Sequence, residues 1–172
     1  TMNTHLGACV ELTEDDIDPA LVAASQITYL EGYLFDPPQA KDAFRKAASL
    51  AREAGRKVAL TLSDSFCVHR YHDEFLALIR DHIDILFANA AEMEALYPDT
   101  PLAEAATLLA GQVEVAAITR SEKGSLLVSG RERVAVPGKP LAECGRLGAI
   151  AAAEVISHYG ARPEVALSSL AG

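Results

Sequence analysis

Two short polar runs carry the residue types that handle phosphate and metal. Asn89-Ala90-Ala91-Glu92 sets an amide and a carboxylate three residues apart, directly after the apolar run 83–88 (IDILFA). Asn89 there reads as a helix N-cap with Glu92 as its capping-box partner, which satisfies two orphan backbone donors. Facing a crevice, the same two groups would order the water shell of Mg²⁺, an ion that keeps several waters and takes few protein carboxylates. The two readings are compatible. Thr119-Arg120-Ser121-Glu122-Lys123-Gly124 closes a second apolar run, 113–119 (VEVAAIT). It reads as a turn between strands, with Gly124 at positive φ. It reads equally as a loop against nucleotide phosphates, with the Thr119 hydroxyl and backbone N–H groups as donors and Arg120 or Lys123 adding charge.

Other candidates carry less. Glu31-Gly32-Tyr33 and Asp64-Ser65-Phe66-Cys67 fall at or near strand ends, where each either lines a substrate pocket or is ordinary loop chemistry. His69 and His72 have i,i+3 spacing but no suitably spaced third ligand, so they read as a solvated helix start. Gly145 and Gly148 lie inside an apparent helix and form no dinucleotide fingerprint. A Walker P-loop is absent, and Ser63 and Ser65 lack the setting of a hydrolase nucleophile elbow.

The elements that must position these residues alternate regularly. Strands are expected at 26–35 (QITYLEGYLF), 57–62 (KVALTL), 83–88 and 113–119. Helices are expected from Asp18-Pro19, over 38–54 with Gly55 as C′ residue, and over 71–81, 90–97 and 102–109. A hairpin pairs 125–128 with 133–136, a long Ala-rich helix runs over 141–159 to Gly160, and a short one covers 163–170. Apolar strands alternating with helices specify an α/β sandwich with a mostly parallel central sheet. Ligands of such sheets sit beyond the carboxyl ends of the strands, which is where Asn89 and Thr119 fall.

Composition narrows the partners. The formal net charge of -9 argues against nucleic acid and anionic membranes, which need a positive surface. A phosphorylated small ligand remains compatible with it. Cys9, Cys67 and Cys144 are single and odd in number, which suits reduced thiols in the cytoplasm. No apolar run approaches the roughly 20 residues of a membrane helix. The chain opens in a strand-like run, 2–12, that is expected to follow something, and residues 1–11 lack the features of a signal peptide.

YLEGYLFDPP, KVALTLSDSF and IDILFANAAEMEALY together resemble the ribokinase-like (PfkB-type) carbohydrate kinases, closest to bacterial adenosine-kinase-like or ribokinase-like members. Asn89-x-x-Glu92 matches that family's NxxE motif, which implies magnesium and phosphate binding by Asn89 and, through water, by Glu92. ITRSEKGSLLV resembles the nucleotide loop T-x-G-x-x-G and implicates Thr119, Ser121 and Gly124, with Ser121 standing where glycine is usual. AIAAAEVISHYGARP resembles the adenine-side helix, which places Ala149, Ala152, Ala153, Ile156 and Gly160 near the base. MNTHLGACVEL resembles the strand returning from the substrate lid, and lid strands pair subunits in this family, so a homodimer is compatible with the resemblance.

The resemblance implies a ribokinase-like (Rossmann-like) fold, ATP and Mg²⁺ as cofactors, and a sugar or nucleoside as acceptor. Residues 1–172 are then a single nucleotide-binding kinase domain without its N-terminal half and without a segment between about 140 and 141. The family's DTxGAGD-type turn, which holds the phosphates and supplies the catalytic base, belongs at 136–141, and no GAGD occurs anywhere in the chain. Loss of a base alone lowers a rate by roughly 10²–10⁴-fold, so the chain as it stands is expected to be inactive. Keeping a helix while omitting its predecessor would expose core, so a break in the backbone is expected at 139–141. Two other readings stand beside the kinase: a nucleotide-binding or interaction module derived from one without its chemistry, and an unrelated doubly wound domain.

Overall fold

A computed structural model of the chain describes residues 7–159 and 162–170. The chain divides into two compact units, Thr1–Arg120 with Ser125–Val136, and Ser121–Gly124 with Pro137–Gly172.

The first unit is built on one six-stranded sheet whose spatial order equals its chain order. The strands are β1 (Ile27–Glu31), β2 (Lys57–Thr61), β3 (Ile85–Asn89), β4 (Val115–Thr119), β5 (Ser125–Ser129) and β6 (Glu132–Val136). β1 to β4 are parallel, and β5 and β6 return antiparallel as a hairpin. Helix α1 (Pro19–Ala24) leads into β1, and helices α2 (Pro38–Glu53), α3 (Ser65–Arg70), α4 (His72–His82), α5 (Ala90–Leu96) and α6 (Leu102–Leu109) fill the connections between the parallel strands.

Local chemistry sets the helix ends. Asp18 Oδ1 accepts the N–H groups of Ala20 at 2.8 Å and Leu21 at 3.2 Å, with Pro19 in the first helical position. α2 also starts on proline and ends at Gly55, φ +67°, where the Arg56 N–H reaches the Ala51 carbonyl at 2.8 Å to close a Schellman motif. Its buried stripe, Ala40, Ala43, Phe44, Ala47, Ala48 and Ala51, packs against β1 and β2. Small residues there let helix and sheet approach closely.

The two faces of the sheet differ. Leu30, Leu60, Leu86, Ala116 and Val128 occupy one register row and are buried under the helices. Their neighbours on the other face, Ile27, Tyr29, Phe87, Val115 and Leu127, are exposed. Right-handed crossovers between strands laid down in sequence place every connecting helix on the same side. The expected mostly parallel α/β sheet is present, with its first-unit helices on one side of it.

Several boundaries depart from expectation. Within the strand expected at the start, Gly7–Glu11 is a 3₁₀ turn, entered through Gly7 at φ +65° and tied to α2 by Gln39 Nε2 donating to the Val10 carbonyl at 3.1 Å. Residues before 7 lie outside the described part. β1 stops at Glu31, and 32–35 tighten into a 3₁₀ turn because buried Phe35 must reach Phe75, its ring stacked at 4.5 Å between centroids. α3, capped by Asp64 on the Phe66 N–H at 2.6 Å, occupies what sequence reads as a break.

In the second unit, α7 (Leu141–Val155) ends earlier than expected, and α8 is only Leu167–Leu170. The expected stop at Gly160 lies outside the described residues. α7 buries no residue, and no described helix is long and apolar enough to cross a membrane. Pro140, with φ -54° and ψ 143°, caps α7, and its carbonyl accepts the Cys144 N–H at 2.9 Å.

Candidate functional site

The carboxyl ends of β1 to β4 form one rim of the first unit. Parallel register pairs Glu31 with Thr61 and Asn89 with Thr119, and Thr119 pairs in turn with Ser125 of the returning hairpin. The two polar runs singled out in the sequence are therefore neighbours where the sheet changes from parallel to antiparallel.

At β3, the capping box is complete. Asn89 Oδ1 accepts the Glu92 N–H at 2.9 Å, while Glu92 Oε2 accepts the Asn89 N–H at 2.9 Å and its Oε1 accepts Asn89 Nδ2–H at 2.7 Å. Glu92 is only 4 % exposed, and burial pushes its carboxyl above the usual range. The Asn89 N–H opposes that shift, and the Asp64 and Glu31 carboxylates reinforce it. Each carboxylate oxygen keeps a second lone pair beyond the box. No group of three or more metal-ligating side chains gathers among the described residues. One carboxylate and one amide suit the water shell of Mg²⁺, an ion that keeps several waters and takes few protein carboxylates.

At β1 and β2, a close approach decides the geometry. A Cβ on Gly32 would lie 2.6 Å from both the Thr61 and Leu62 carbonyl oxygens, so only glycine lets the two strand ends come together. Beyond them Ser63 holds φ +67°, and the Asp64 N–H reaches the Leu62 carbonyl at 2.8 Å. An i to i+2 bond across a residue of positive φ is the rare, strained form of γ-turn. Ser63 Oγ–H donates to Glu31 Oε1, with the Thr61 carbonyl as a weaker acceptor at 3.3 Å. Tyr29 Oη–H reaches Glu31 Oε2 at 3.4 Å. Burial raises the Tyr33 phenol, and Asp64, Glu31 and Glu92 raise it further, which places all three carboxylates around this rim.

Thr119 and half-buried Arg120 end the first unit's share of the second polar run. Ser121–Gly124 group with the second unit. Ser121 adopts φ +52° and Gly124 φ +83°, with the Gly124 N–H on the Ser121 carbonyl at 3.0 Å. The serine standing in the glycine place of the T-x-G-x-x-G pattern thus holds a conformation that suits glycine. Ala149, Ala152, Ala153 and Ile156 share one exposed face of α7 and its cap. The same helix turns Glu154 inward, where Oε1 accepts the N–H groups of Glu164 at 2.7 Å and Val165 at 3.3 Å and faces His158 Nε2 at 3.2 Å.

Sequence reasoning placed Asn89, Glu92 and Thr119 at this rim but missed Ser63 and its bond to Glu31. Only their position near strand ends hinted at it, since nothing in the pattern marks a serine for positive φ.

The pfkB family carbohydrate kinase model matches residues 1–140, ending where α7 begins. No curated protein matches the chain. Among solved structures, the adenosine kinase from Sinorhizobium meliloti is 46% identical, with a TM-score of 0.78 over 99% of this chain and 61% of its own. A probable sugar kinase protein from Rhizobium etli CFN 42 is 41% identical, with a TM-score of 0.78 over 99% of this chain and 60% of its own. A putative Ribokinase II from E. coli, solved in complex with ATP and Mg+2, shares the fold at 17% identity and a TM-score of 0.71, over 92% of this chain and 55% of its own. The chain thus spans about three fifths of the length of the first two. Matched by the family's model over most of its length and by a near relative along almost all of it, the chain belongs to the pfkB family of carbohydrate kinases.

Proposed function

We propose that this chain is the nucleotide-side part of a kinase that moves the γ-phosphoryl group of ATP onto a hydroxyl group of a sugar or nucleoside. The observation that carries the proposal is the side-by-side placement of Asn89 and Thr119 at the carboxyl rim, with Glu92 held beneath Asn89. Two of the similar structures, an adenosine kinase 46% identical and a probable sugar kinase protein 41% identical, support the acceptor class. ATP and Mg²⁺ are supported by the complex formed by the more distant Ribokinase II. A reaction fed by ATP belongs in the cytoplasm.

Phosphoryl transfer asks mainly for positioning and charge neutralisation. When bound, Mg²⁺ neutralises charge on the polyphosphate. Asn89 and Glu92 hold waters of its shell through the lone pairs left over from the capping box. Thr119 Oγ1 and the backbone N–H groups through Gly124 face phosphate oxygens, with Arg120 adding charge. Ala149, Ala152, Ala153 and Ile156 offer an apolar wall for a flat base. Glu31 accepts a hydrogen bond from an acceptor hydroxyl. The proton of the attacking hydroxyl needs a base outside these residues, in the glycine turn that the family carries and this chain lacks.

A second reading has its own support. The 172-residue sequence holds no GAGD turn, which favours a module that binds nucleotide without transferring phosphate. One experiment separates them. Thermal shift of the 172-residue chain with ATP–Mg²⁺ reports binding, and ADP release by the full-length protein across sugars and nucleosides reports transfer. A shift with turnover supports the kinase, and a shift without turnover supports the module. No shift and no turnover would leave neither reading standing.

A further inference from the structure

We propose that Ser63 is a positioning residue for the acceptor, holding the Glu31 carboxylate in the orientation that receives the acceptor's hydroxyl groups; this rests on the kinase reading above. Three observations converge on it. The first is strain. Ser63 sits at φ +67° in a turn already closed by the Asp64 N–H on the Leu62 carbonyl, so the turn does not need a side chain there. Glycine would adopt that conformation without steric cost. A side chain kept in a sparsely populated conformation at a strand-end rim points to a use for it.

The second is where the hydroxyl goes. Ser63 Oγ–H donates across the strand pair to Glu31 Oε1, a residue 32 positions earlier in the chain. The contact is charge-assisted, and so of the stronger kind. The third is how little else holds that carboxylate. Among the described residues, Oε2 has only the Tyr29 hydroxyl at 3.4 Å, a long contact from a phenol that is itself largely exposed. With one lone pair of Oε1 committed to Ser63, the carboxylate keeps open acceptor sites, which suit hydroxyl donors. The acidic neighbours Asp64 and Glu92 make the same rim hospitable to neutral polyols and inhospitable to bare anions.

The test compares Ser63→Gly and Ser63→Ala in the full-length protein with wild type. Both variants lose the hydroxyl, but only glycine releases the strain. Expected is a rise of about tenfold or more in acceptor KM for both, the loss due to a hydrogen bond to a charged group. KM for ATP stays at the wild-type value. Ser63→Gly melts at or above wild type, while Ser63→Ala melts below it. Glu31→Gln raises acceptor KM as well, and adding Ser63→Gly to it raises KM little further. A Ser63→Gly variant with wild-type acceptor KM and a lowered melting point marks Ser63 as structural only, and overturns the proposal. Independent, additive effects of Ser63→Gly and Glu31→Gln overturn it too. Wild type that turns over no sugar or nucleoside sinks the kinase reading and this inference with it; wild-type turnover beside an unaffected Ser63→Gly sinks this inference alone.

Discussion

Asn89 and Thr119 are register partners, the last residues of adjacent parallel strands. An amide that caps a helix and a hydroxyl that opens a loop therefore share one edge of the sheet, although a whole βα unit separates them in the chain. What happens to either group should be felt at the other's ligand.

Asn89→Ala removes the Oδ1 that accepts the Glu92 N–H and the Nδ2–H that donates to Glu92 Oε1, leaving the buried carboxylate with the backbone N–H of residue 89 alone. Loss of a cap costs about 1 kcal/mol, and a buried carboxylate oxygen left without its donor adds to it. Urea unfolding should report a loss of about 2–3 kcal/mol. The thermal shift from ATP–Mg²⁺ should vanish with it.

Gly32→Ala drives a methyl group against the Thr61 and Leu62 carbonyl oxygens, two backbone atoms that cannot swing aside. The ends of β1 and β2 must part, at a cost of roughly 2 kcal/mol or more. Because Glu31 and Ser63 flank that approach, their hydrogen bond should be lost together with stability. A lowered urea midpoint accompanied by weaker acceptor binding would register both effects.

Two histidines should give stability opposite dependences on pH. The Asp73 carboxylate beside His72, helped by the Leu96 carbonyl at 3.0 Å, raises the imidazole above its ordinary value of about 6.5. A raised folded value means that His72 contributes fully below about 6.5, and that the contribution fades as pH rises through the folded value. His82 is lowered, by burial first and then by Arg52. Its folded state resists protonation, so stability falls as pH drops below about 6.5 towards the folded value. Melting curves of His72→Gln should therefore converge on wild type at alkaline pH. Those of His82→Gln should hold up better than wild type under acid.

Ser121→Gly should stabilise. The serine holds φ +52° with no sheet or helix hydrogen bond that needs its side chain, and glycine removes the steric cost at that angle. Glycine's extra freedom in the unfolded chain takes back part of the gain. A rise of about 1–3 °C in melting temperature is expected for a chain of this size.

Local signals made much of this legible in advance. Pro38 and Gly55 bracket α2, Asp18-Pro19 opens α1, and Asn89-x-x-Glu92 announces its box, because each depends on neighbours within a few residues. β4 ends at Thr119 as its apolar run does. What escaped depends on distance. The turn at 32–35 answers to Phe35 finding Phe75, 40 positions onward, and no periodicity encodes that appointment. Ser63 reads as a strand breaker because its partner Glu31 lies on another strand. Gly7–Glu11 has the composition of a strand but bends at a left-handed glycine. The Asn89–Glu92 capping box was visible, while the contact proposed to orient the acceptor was not.

The agreement between chain order and strand order has a bearing on how the molecule is made. Ile27 pairs with Lys57, Ala59 with Ile85, and Ile85 with Val115, so each junction joins segments only about 30 residues apart. A nascent chain leaving the ribosome can add each new strand to the edge just completed, with no need to wait for a distant partner. Assembly of this sheet can thus keep pace with synthesis, laid down one crossover at a time from Ile27 toward Val136.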